Sequence, residues 1–326
     1  MRAVLVLCFF LVFSACHNSV SNKSITLLDS LSNRIQADPF NSSLLNERAM
    51  LYVQKNNLDS AKQDLDKAYS VFKNDESMLL NRGDVYFMMN ETRVSKESWE
   101  RCLKVNPNNI QCRIKLTKLL CAVHDSNCKS MIDTVGLLND GIVPISLIVY
   151  LKELEEYDLA MDFLENTIDH GSELNRETLS LLAVIYSDTT SSNNFFNKDS
   201  ASMYFDKLLN RYPDTFQVYY NLAMFKQNIF EYNEALTHYN STLKIDSTNK
   251  NVYYNMGFCS MQLKEYEKGV NYFSKAINLD NSFLLAYHAR AYLYELLNRS
   301  ERAKLDWKNC LMLNPSYIPA LEGLNK

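Results

Sequence analysis

The sequence predicts an all-α protein assembled from repeated pairs of antiparallel helices. The main observation is a period of 34 residues, seen in three consecutive blocks that begin at Phe216, Lys250 and Leu284. Within each block, apolar residues recur every three or four positions, as in helices that bury one face. The chain has only seven glycines among 326 residues, which argues against a fold rich in strands and turns. Matching residues return at positions four, eight, twenty and twenty-four of the blocks, namely Tyr219, Tyr253 and Tyr287; Ala223, Gly257 and Ala291; Ala235, Gly269 and Ala303; and Tyr239, Phe273 and Trp307.

This order of aromatic and small residues, closed by Pro315 in the third block, resembles the tetratricopeptide repeat, a helix–turn–helix unit of 34 residues. The resemblance implies a right-handed α-solenoid. In such an array, large side chains fill the space between helices, and small ones at positions eight, twenty and twenty-seven allow close approach. One helix pair cannot bury its own apolar face, so each unit needs a neighbour on either side.

Eight tandem units are predicted, and both ends of the array are expected to be capped by a helix. The copy at 110–140 is the most degenerate, and the copy at 176–215 is lengthened by a polar stretch at Thr189–Lys198, which a loop between paired helices tolerates at little entropic cost. The predicted units are 42–75, 76–109, 110–140, 141–174, 176–215, 216–249, 250–283 and 284–317. The predicted caps are 25–41, with its helix at Leu27–Ala37, and 318–326.

The N-terminal segment has the features of a secretory signal. The apolar run over residues 3–13 is too short to span a bilayer, which needs about 20 residues, and suits the apolar region of a signal peptide. Two small residues then precede Cys16, and this junction resembles that of bacterial lipoproteins. By that resemblance, residues 1–15 are removed, Cys16 is lipidated, and residues 16–24 form a short tether. A plain signal peptide with an incidental cysteine is the alternative.

The residue after this cysteine is His17, and not the Asp that retains enterobacterial lipoproteins in the inner membrane. The resemblance therefore implies a lipid-anchored protein of the bacterial cell envelope, at the outer membrane and facing the periplasm. Each methylene of an acyl chain contributes about 0.8 kcal/mol when buried, so two or three long chains form an effectively permanent anchor.

Composition and motifs argue against several other functions. The net charge of −4 gives no electrostatic footprint for nucleic acid. The sequence has no glycine-rich phosphate loop, no HExxH and no GxSxG motif. Its histidines His170, His238 and His288 lie on different repeats. We therefore expect no catalytic activity and no cofactor.

Six cysteines lie within the predicted array. Three of them occupy helix packing positions and are expected to be buried small residues: Cys102, Cys259 and Cys310. The other three, Cys112, Cys121 and Cys128, cluster with His124 in the degenerate repeat. A disulfide between Cys121 and Cys128 is favoured in an oxidising periplasm, because they would end one helix and begin the next. A Zn²⁺ site formed with His124 and free thiols are the alternatives.

A candidate partner groove follows from the resemblance. In tetratricopeptide arrays, positions two, five, six, nine and twelve of the first helices face a concave surface. On the last three blocks these positions are Gln217, Tyr220, Asn221, Met224, Gln227, Asn251, Tyr254, Asn255, Phe258, Met261, Leu285, His288, Ala289, Tyr292 and Glu295. In the family, asparagine at position six commonly bonds the backbone of an extended peptide, because an amide supplies both a donor and an acceptor. Here Asn221 and Asn255 hold that position, although Tyr-Tyr-Asn also occurs in the family for structural reasons.

The expected function is a non-catalytic scaffold or adaptor lipoprotein that recruits an extended segment of another envelope protein. The alternative is a glycan- or nutrient-binding outer-membrane lipoprotein, since some sugar-uptake lipoproteins embed similar repeats. Those proteins carry large insertions that build the sugar site, whereas the insertion here is confined to Thr189–Lys198. The scaffold is therefore the favoured interpretation.

Overall fold

The computed structural model of the chain describes residues 20–169, 174–213 and 215–325, which consist of helices joined by short connections, without a strand. The helices of the N-terminal part are α1 (Val20–Ala37), α2 (Ser42–Gln54), α3 (Leu58–Val71), α4 (Glu76–Met88), α5 (Thr92–Val105), α6 (Ile110–Ala122), α7 (Cys128–Leu137), α8 (Ile145–Glu153) and α9 (Tyr157–Asp169). Those that follow are α10 (Arg176–Ser187), α11 (Lys198–Arg211), α12 (Phe216–Asn228), α13 (Tyr232–Ile245), α14 (Lys250–Gln262), α15 (Tyr266–Leu279), α16 (Leu284–Leu296), α17 (Ser300–Leu313) and α18 (Ile318–Leu324).

The first helix begins earlier than the sequence predicts. A tether is expected over residues 16–24, but α1 already begins at Val20. The residues just before Leu27 include no proline or glycine, so nothing in the backbone chemistry stops the helix at the predicted point. The predicted signal peptide, residues 1–15, and Cys16 lie outside the described residues.

Each predicted repeat contains two helices, and polar caps mark where many of them begin. An Asn or Asp side chain before the helix accepts a hydrogen bond from an N–H group that the first turn leaves without a partner. Such caps are Asn41, Asn57, Asp75, Asn109, Asn175, Asn197 and Asn249.

One backbone conformation recurs at the turn within the repeat. At position fifteen, φ lies between 52° and 65° in every predicted unit but the one with the insertion. The residues are Asn56, Asn90, His124, Glu155, Phe230, Lys264 and Asn298. Asparagine enters this left-handed region more readily than most L residues, so the three asparagines suit the turn and Phe230 does not.

Replacing Phe230 by Asn should raise the free energy of unfolding by about 1 kcal/mol, because a left-handed conformation costs an ordinary L residue about 1–2 kcal/mol. The Phe230 side chain is 77% exposed, so the variant loses little burial, apart from an edge contact with Tyr232 at 6.3 Å between ring centroids. Urea unfolding measures the change. The reciprocal variant Asn298→Phe should be less stable than the parent, and a Phe230→Asn variant that unfolds at lower urea would contradict the prediction.

The chain divides into two compact units, Met1–Tyr150 and Leu151–Lys326. The boundary falls within α8, in a repeat that matches the pattern weakly. The described part of the first unit has a continuous core that includes Leu45, Leu79 and Trp99. In the second unit, buried clusters follow one another along the repeats.

Position eight packs against position twenty-four of the same repeat. A Cβ atom added to Gly257 would lie 2.6 Å from a ring carbon of Phe273, and one added to Gly83 would lie 2.2 Å from the indole nitrogen of Trp99. A carbon contact below about 3 Å is repulsive, and an interior packed as densely as an organic crystal leaves no space to relieve it. The small residues at position eight are therefore sites where a helix backbone touches an aromatic ring.

The described residues contain two disulfides. Cys121, near the end of α6, is bonded to Cys128 at the start of α7, with 4.9 Å between the Cα atoms. Cys102 is bonded to Cys112, with 6.4 Å between the Cα atoms, so the expectation that Cys102 is only a buried small residue is wrong. That expectation follows from its position in the repeat, whereas the bond depends on how α5 packs against α6. A Zn²⁺ site would need thiolates that these bonds consume. Cys259 and Cys310 are buried free thiols.

Position seven carries a half-buried arginine in three repeats, whereas leucine stands there in the repeats of Leu182 and Leu222. Arg290 of α16 donates from Nε and Nη2 to the two carboxylate oxygens of Asp306, both at 2.8 Å. It also donates from Nη1 to Ser274 of the preceding repeat at 2.8 Å. Each arginine thus joins two helices, the second helix of its own repeat and the helix that directly precedes its own in the chain. The equivalent contacts are Arg48 with Asp64 and Ser32, and Arg82 with Ser98 and Asp66.

Candidate functional site

The candidate groove surface consists of positions two, five, six, nine and twelve of α12, α14 and α16, all within the second unit. These helices are neighbours, because α14 contacts α16 and Asn255 of α14 contacts Tyr220 of α12. Most of the side chains are half-buried, and four are exposed. The exposed ones are Gln217, Asn251, Leu285 and Tyr292.

The two asparagines at position six have different surroundings. Asn255 donates to the hydroxyl of Tyr220 at 3.2 Å and lies 3.3 Å from the sulfur of Met224, so its amide links two repeats. Asn221 accepts from Gln217 on the same helix at 2.7 Å. Because Asn221 uses only its oxygen in this bond, its NH₂ group is available to a ligand.

The bond between position five of one repeat and position six of the next is found in both units. Asn81 donates to Asn46 at 2.9 Å, 35 residues apart, which is the separation of Tyr220 and Asn255. Part of the asparagine signal at position six therefore reflects packing between successive first helices. Packing between repeats is thus the structural reason for Tyr-Tyr-Asn that the sequence alone leaves open.

Within the candidate groove surface, position twelve bonds to the core in the two repeats where it is polar. The side-chain oxygen of Gln227 accepts from the hydroxyl of Tyr239 at 3.0 Å, and that of Glu295 accepts from the indole nitrogen of Trp307 at 2.8 Å. Both donors are buried at position twenty-four of the same repeat, and buried tyrosine and tryptophan need such a partner. These two predicted groove residues are thus already occupied by internal hydrogen bonds. Sequence reasoning missed the pairing, although the fixed twelve-residue offset could have indicated it.

The aromatic residues of the surface pack against the second helices. Phe258 meets Tyr232 edge-on, with 6.4 Å between ring centroids, and Tyr254 lies 5.5 Å from Phe273. His288 Nδ1 lies 2.7 Å from the hydroxyl of Tyr317. Burial lowers the pKa of His288, which favours the neutral imidazole near neutral pH.

A cavity of about 250 Å³ lies between α10 and α12 at the end of this surface. Its polar lining combines two predicted groove residues, Gln217 and Asn221, with Arg176 and Ser180 of α10. The apolar lining includes Phe205 and Val218, which are buried. Sequence reasoning did not name Arg176 or Ser180, although they occupy positions one and five of the repeat with the insertion.

The described residues contain no group of three His, Cys, Asp or Glu side chains that could hold a metal ion. In the same part of the chain, the helices are either too short or too polar to cross a bilayer. His170 lies outside the described residues, and His238 and His288 are on different repeats, on α13 and α16.

Comparison with known proteins supports the repeat assignment. The family model described as "Tetratricopeptide repeat" matches residues 42–75, 251–283 and 284–317. Among solved structures, the chain is similar to a tetratricopeptide repeat protein from Parabacteroides merdae, with 16% identity, a TM-score of 0.53, and coverage of 87% of this chain and 97% of that chain. The chain therefore contains tetratricopeptide repeats and has the all-α solenoid fold that they form.

A second solved structure is more distant. It is the first TPR of Spaghetti (RPAP3) bound to the HSP90 peptide SRMEEVD, with 24% identity, a TM-score of 0.33, and coverage of 34% of this chain and 87% of that chain. No curated protein matches the chain in sequence.

Proposed function

We propose that the protein is a non-catalytic interaction scaffold of the bacterial cell envelope. It is anchored by lipid on Cys16 and binds an extended segment of a partner protein on the candidate groove surface. The observation that carries the proposal is the chemistry of that surface, where amides and aromatic side chains alternate over three consecutive repeats.

The surface suits an extended segment for two reasons. A peptide unit presents one donor and one acceptor, and the exposed amides of Gln217 and Asn251, with the NH₂ group of Asn221, supply both. Tyr292 is 45% exposed and Leu285 is 50% exposed, so apolar contact area lies on the same surface. Such a surface holds a backbone through the amides and selects side chains through the apolar positions.

The two disulfides support an oxidising compartment. Cys102–Cys112 and Cys121–Cys128 both belong to the N-terminal unit, and such bonds persist in secreted and periplasmic proteins but rarely in the cytosol of mesophiles. Together with the apolar run and the small residues before Cys16, they favour the envelope. The lipid and the outer membrane remain part of the proposal.

Replacing Asn221 and Asn255 by Ala should weaken partner binding by about fivefold or more, because the NH₂ group of Asn221 and the side-chain oxygen of Asn255 each satisfy a peptide group, a contribution of about 1–3 kcal/mol in total. Stability should fall by only about 1 kcal/mol, since Asn255 loses one internal bond to Tyr220. The measurement is quantitative mass spectrometry of partners recovered from detergent-solubilised envelopes, beside a urea unfolding curve.

The matched control is the double variant Asn46→Ala/Asn81→Ala. It removes the equivalent amide pair from the other unit, which is bonded at 2.9 Å, and should leave partner recovery unchanged. Full recovery by the Asn221→Ala/Asn255→Ala variant would show that partners bind elsewhere on the chain.

Replacing Cys16 by Ser should abolish membrane association and leave an unprocessed or soluble species, because the thiol that receives the lipid is gone. Metabolic labelling with an alkyne fatty acid measures lipidation. Cys8→Ser is the matched control, since this cysteine lies within the predicted signal, and it should keep the label. Label that persists on the Cys16→Ser protein would disprove lipidation at this residue.

The glycan-binding alternative receives no support from the insertion. Asn193 is buried and donates to the carbonyls of Ile185 at 2.6 Å and Asp188 at 2.8 Å. Tyr157 donates to the carboxylate of Asp188 at 2.6 Å. The buried amide of this connection therefore bonds to the protein itself, and the scaffold stays the favoured function.

A further inference from the structure

The first helices of successive repeats in the second unit are α10, α12, α14 and α16. Their side chains differ in chemistry along this row of helices. On α16, three exposed residues share one face: Leu285, Tyr292 and Leu296. The last two lie seven and eleven positions after Leu285, and both separations return to the same side of a helix. On α12, the corresponding face carries the amides of Gln217 and Asn221. On α10, it carries Arg176 and Ser180 at the cavity. The row is thus apolar at one end and cationic at the other.

The described lining of the cavity supplies no counter-charge for its arginine. None of the described residues that line it carries a carboxylate, and Arg176 forms no ion pair with a described residue. Its guanidinium lies 5.9 Å from the centroid of the Tyr212 ring, a contact that leaves its N–H groups free to donate. Ser180, Gln217 and Asn221 add neutral donors beside it.

We propose that the segment bound by this surface is polarised. An acidic side chain of the partner enters the cavity and pairs with Arg176, and apolar side chains of the same segment lie over α16. This inference rests on the proposed function and adds the chemistry of the partner. Charge complementarity supports it, because an arginine fork bonds a carboxylate through two N–H groups.

The dimensions of the surface set the length of the segment. Adjacent helices pack about 8–10 Å apart, so the three steps from α10 to α16 span about 25–30 Å. An extended chain covers about 3.3–3.6 Å per residue. A segment of about seven to nine residues therefore connects the cavity to the apolar face of α16.

A random nonapeptide library displayed on phage tests this inference against the full chain purified in detergent. We expect the recovered peptides to carry Asp or Glu near one end and apolar residues near the other. With Arg176→Glu, the acidic preference should change to Lys or Arg at the same end, and a selected acidic peptide should bind at least about tenfold more weakly, because like charges in contact are strongly unfavourable. Since Arg176 is exposed, the variant should unfold at the parent's urea concentration.

Lys207→Glu is the control for net charge. Lys207 is an exposed residue of α11 that is not part of the cavity lining, so the acidic preference should survive this change. Peptides without a positional charge preference, or a preference that Arg176→Glu does not alter, would overturn the polarised segment and leave the proposed groove intact. If no peptide is enriched, or if enriched peptides bind Asn221→Ala/Asn255→Ala as tightly as the parent, the proposed groove itself is wrong.

Discussion

Replacing Asp306 by Ala should lower the free energy of unfolding of the C-terminal repeats by about 3–5 kcal/mol, the usual cost of removing one partner of a buried ion pair. Asp306 is 1% exposed and accepts two hydrogen bonds from Arg290 at 2.8 Å. Without the carboxylate, the Arg290 side chain, which is 17% exposed, keeps only Ser274 as a hydrogen-bond partner. Its desolvation is then not offset by an opposite charge.

Urea unfolding followed by the fluorescence of Trp307 measures this effect, in a Trp99→Phe parent so that one tryptophan reports. The control on the same helix is Glu301→Ala. This change breaks an exposed pair with Lys304 at 3.6 Å and should cost well below about 1 kcal/mol.

The double variant Arg290→Leu/Asp306→Ala separates the effect of an unpaired charge from the effect of lost side-chain volume. Leucine stands at position seven in the repeats of Leu182 and Leu222, and replacing a buried pair by apolar residues is often neutral. The double variant should therefore recover most of the stability that Asp306→Ala loses. A single variant that unfolds like its parent would show that the ion pair contributes nothing.

The all-α repeat fold was predictable because its signals are local. The 34-residue period sets which faces are apolar, and a small residue such as Gly257 opposite Phe273 reports a helix contact directly. The start of α1 was not predictable, since Ser and Asn residues before Leu27 neither favour nor stop a helix strongly. The disulfide between Cys102 and Cys112 depends on the packing of two repeats, and the register alone assigned Cys102 to another role.

The candidate site could be predicted only in part. The position of a polar residue in the repeat does not determine which group it hydrogen-bonds. Position six holds Asn255, whose donor is taken by Tyr220 of the preceding repeat. Position twelve holds Gln227, whose oxygen is taken by the core. The cavity beside Asn221 also needs Arg176, which lies in the repeat that departs most from the regular length. The pattern therefore locates the surface, and the three-dimensional contacts decide which groups are free to bind.

Replacing Gly269 by Leu should lower the free energy of unfolding by about 1–3 kcal/mol through overpacking. A Cβ atom at Gly269 would lie 2.6 Å from Cδ1 of Leu293 and 3.3 Å from the backbone oxygen of Gly257. The leucine side chain can shift, but the backbone oxygen belongs to α14 and moves only with the helix. The two helices of the repeat must therefore separate, which weakens the contacts that the next repeat makes with both of them.

The measurement is again the urea midpoint reported by Trp307, and Ala235→Leu, at the same position of the preceding repeat and fully buried, should behave in the same way. Asn271→Leu is the control, because it adds leucine to an exposed position of α15 and should change stability by no more than about 0.5 kcal/mol. Two buried variants with the parent's midpoint would mean that position twenty is not where the helices meet, and the register on which the groove assignment depends would be wrong.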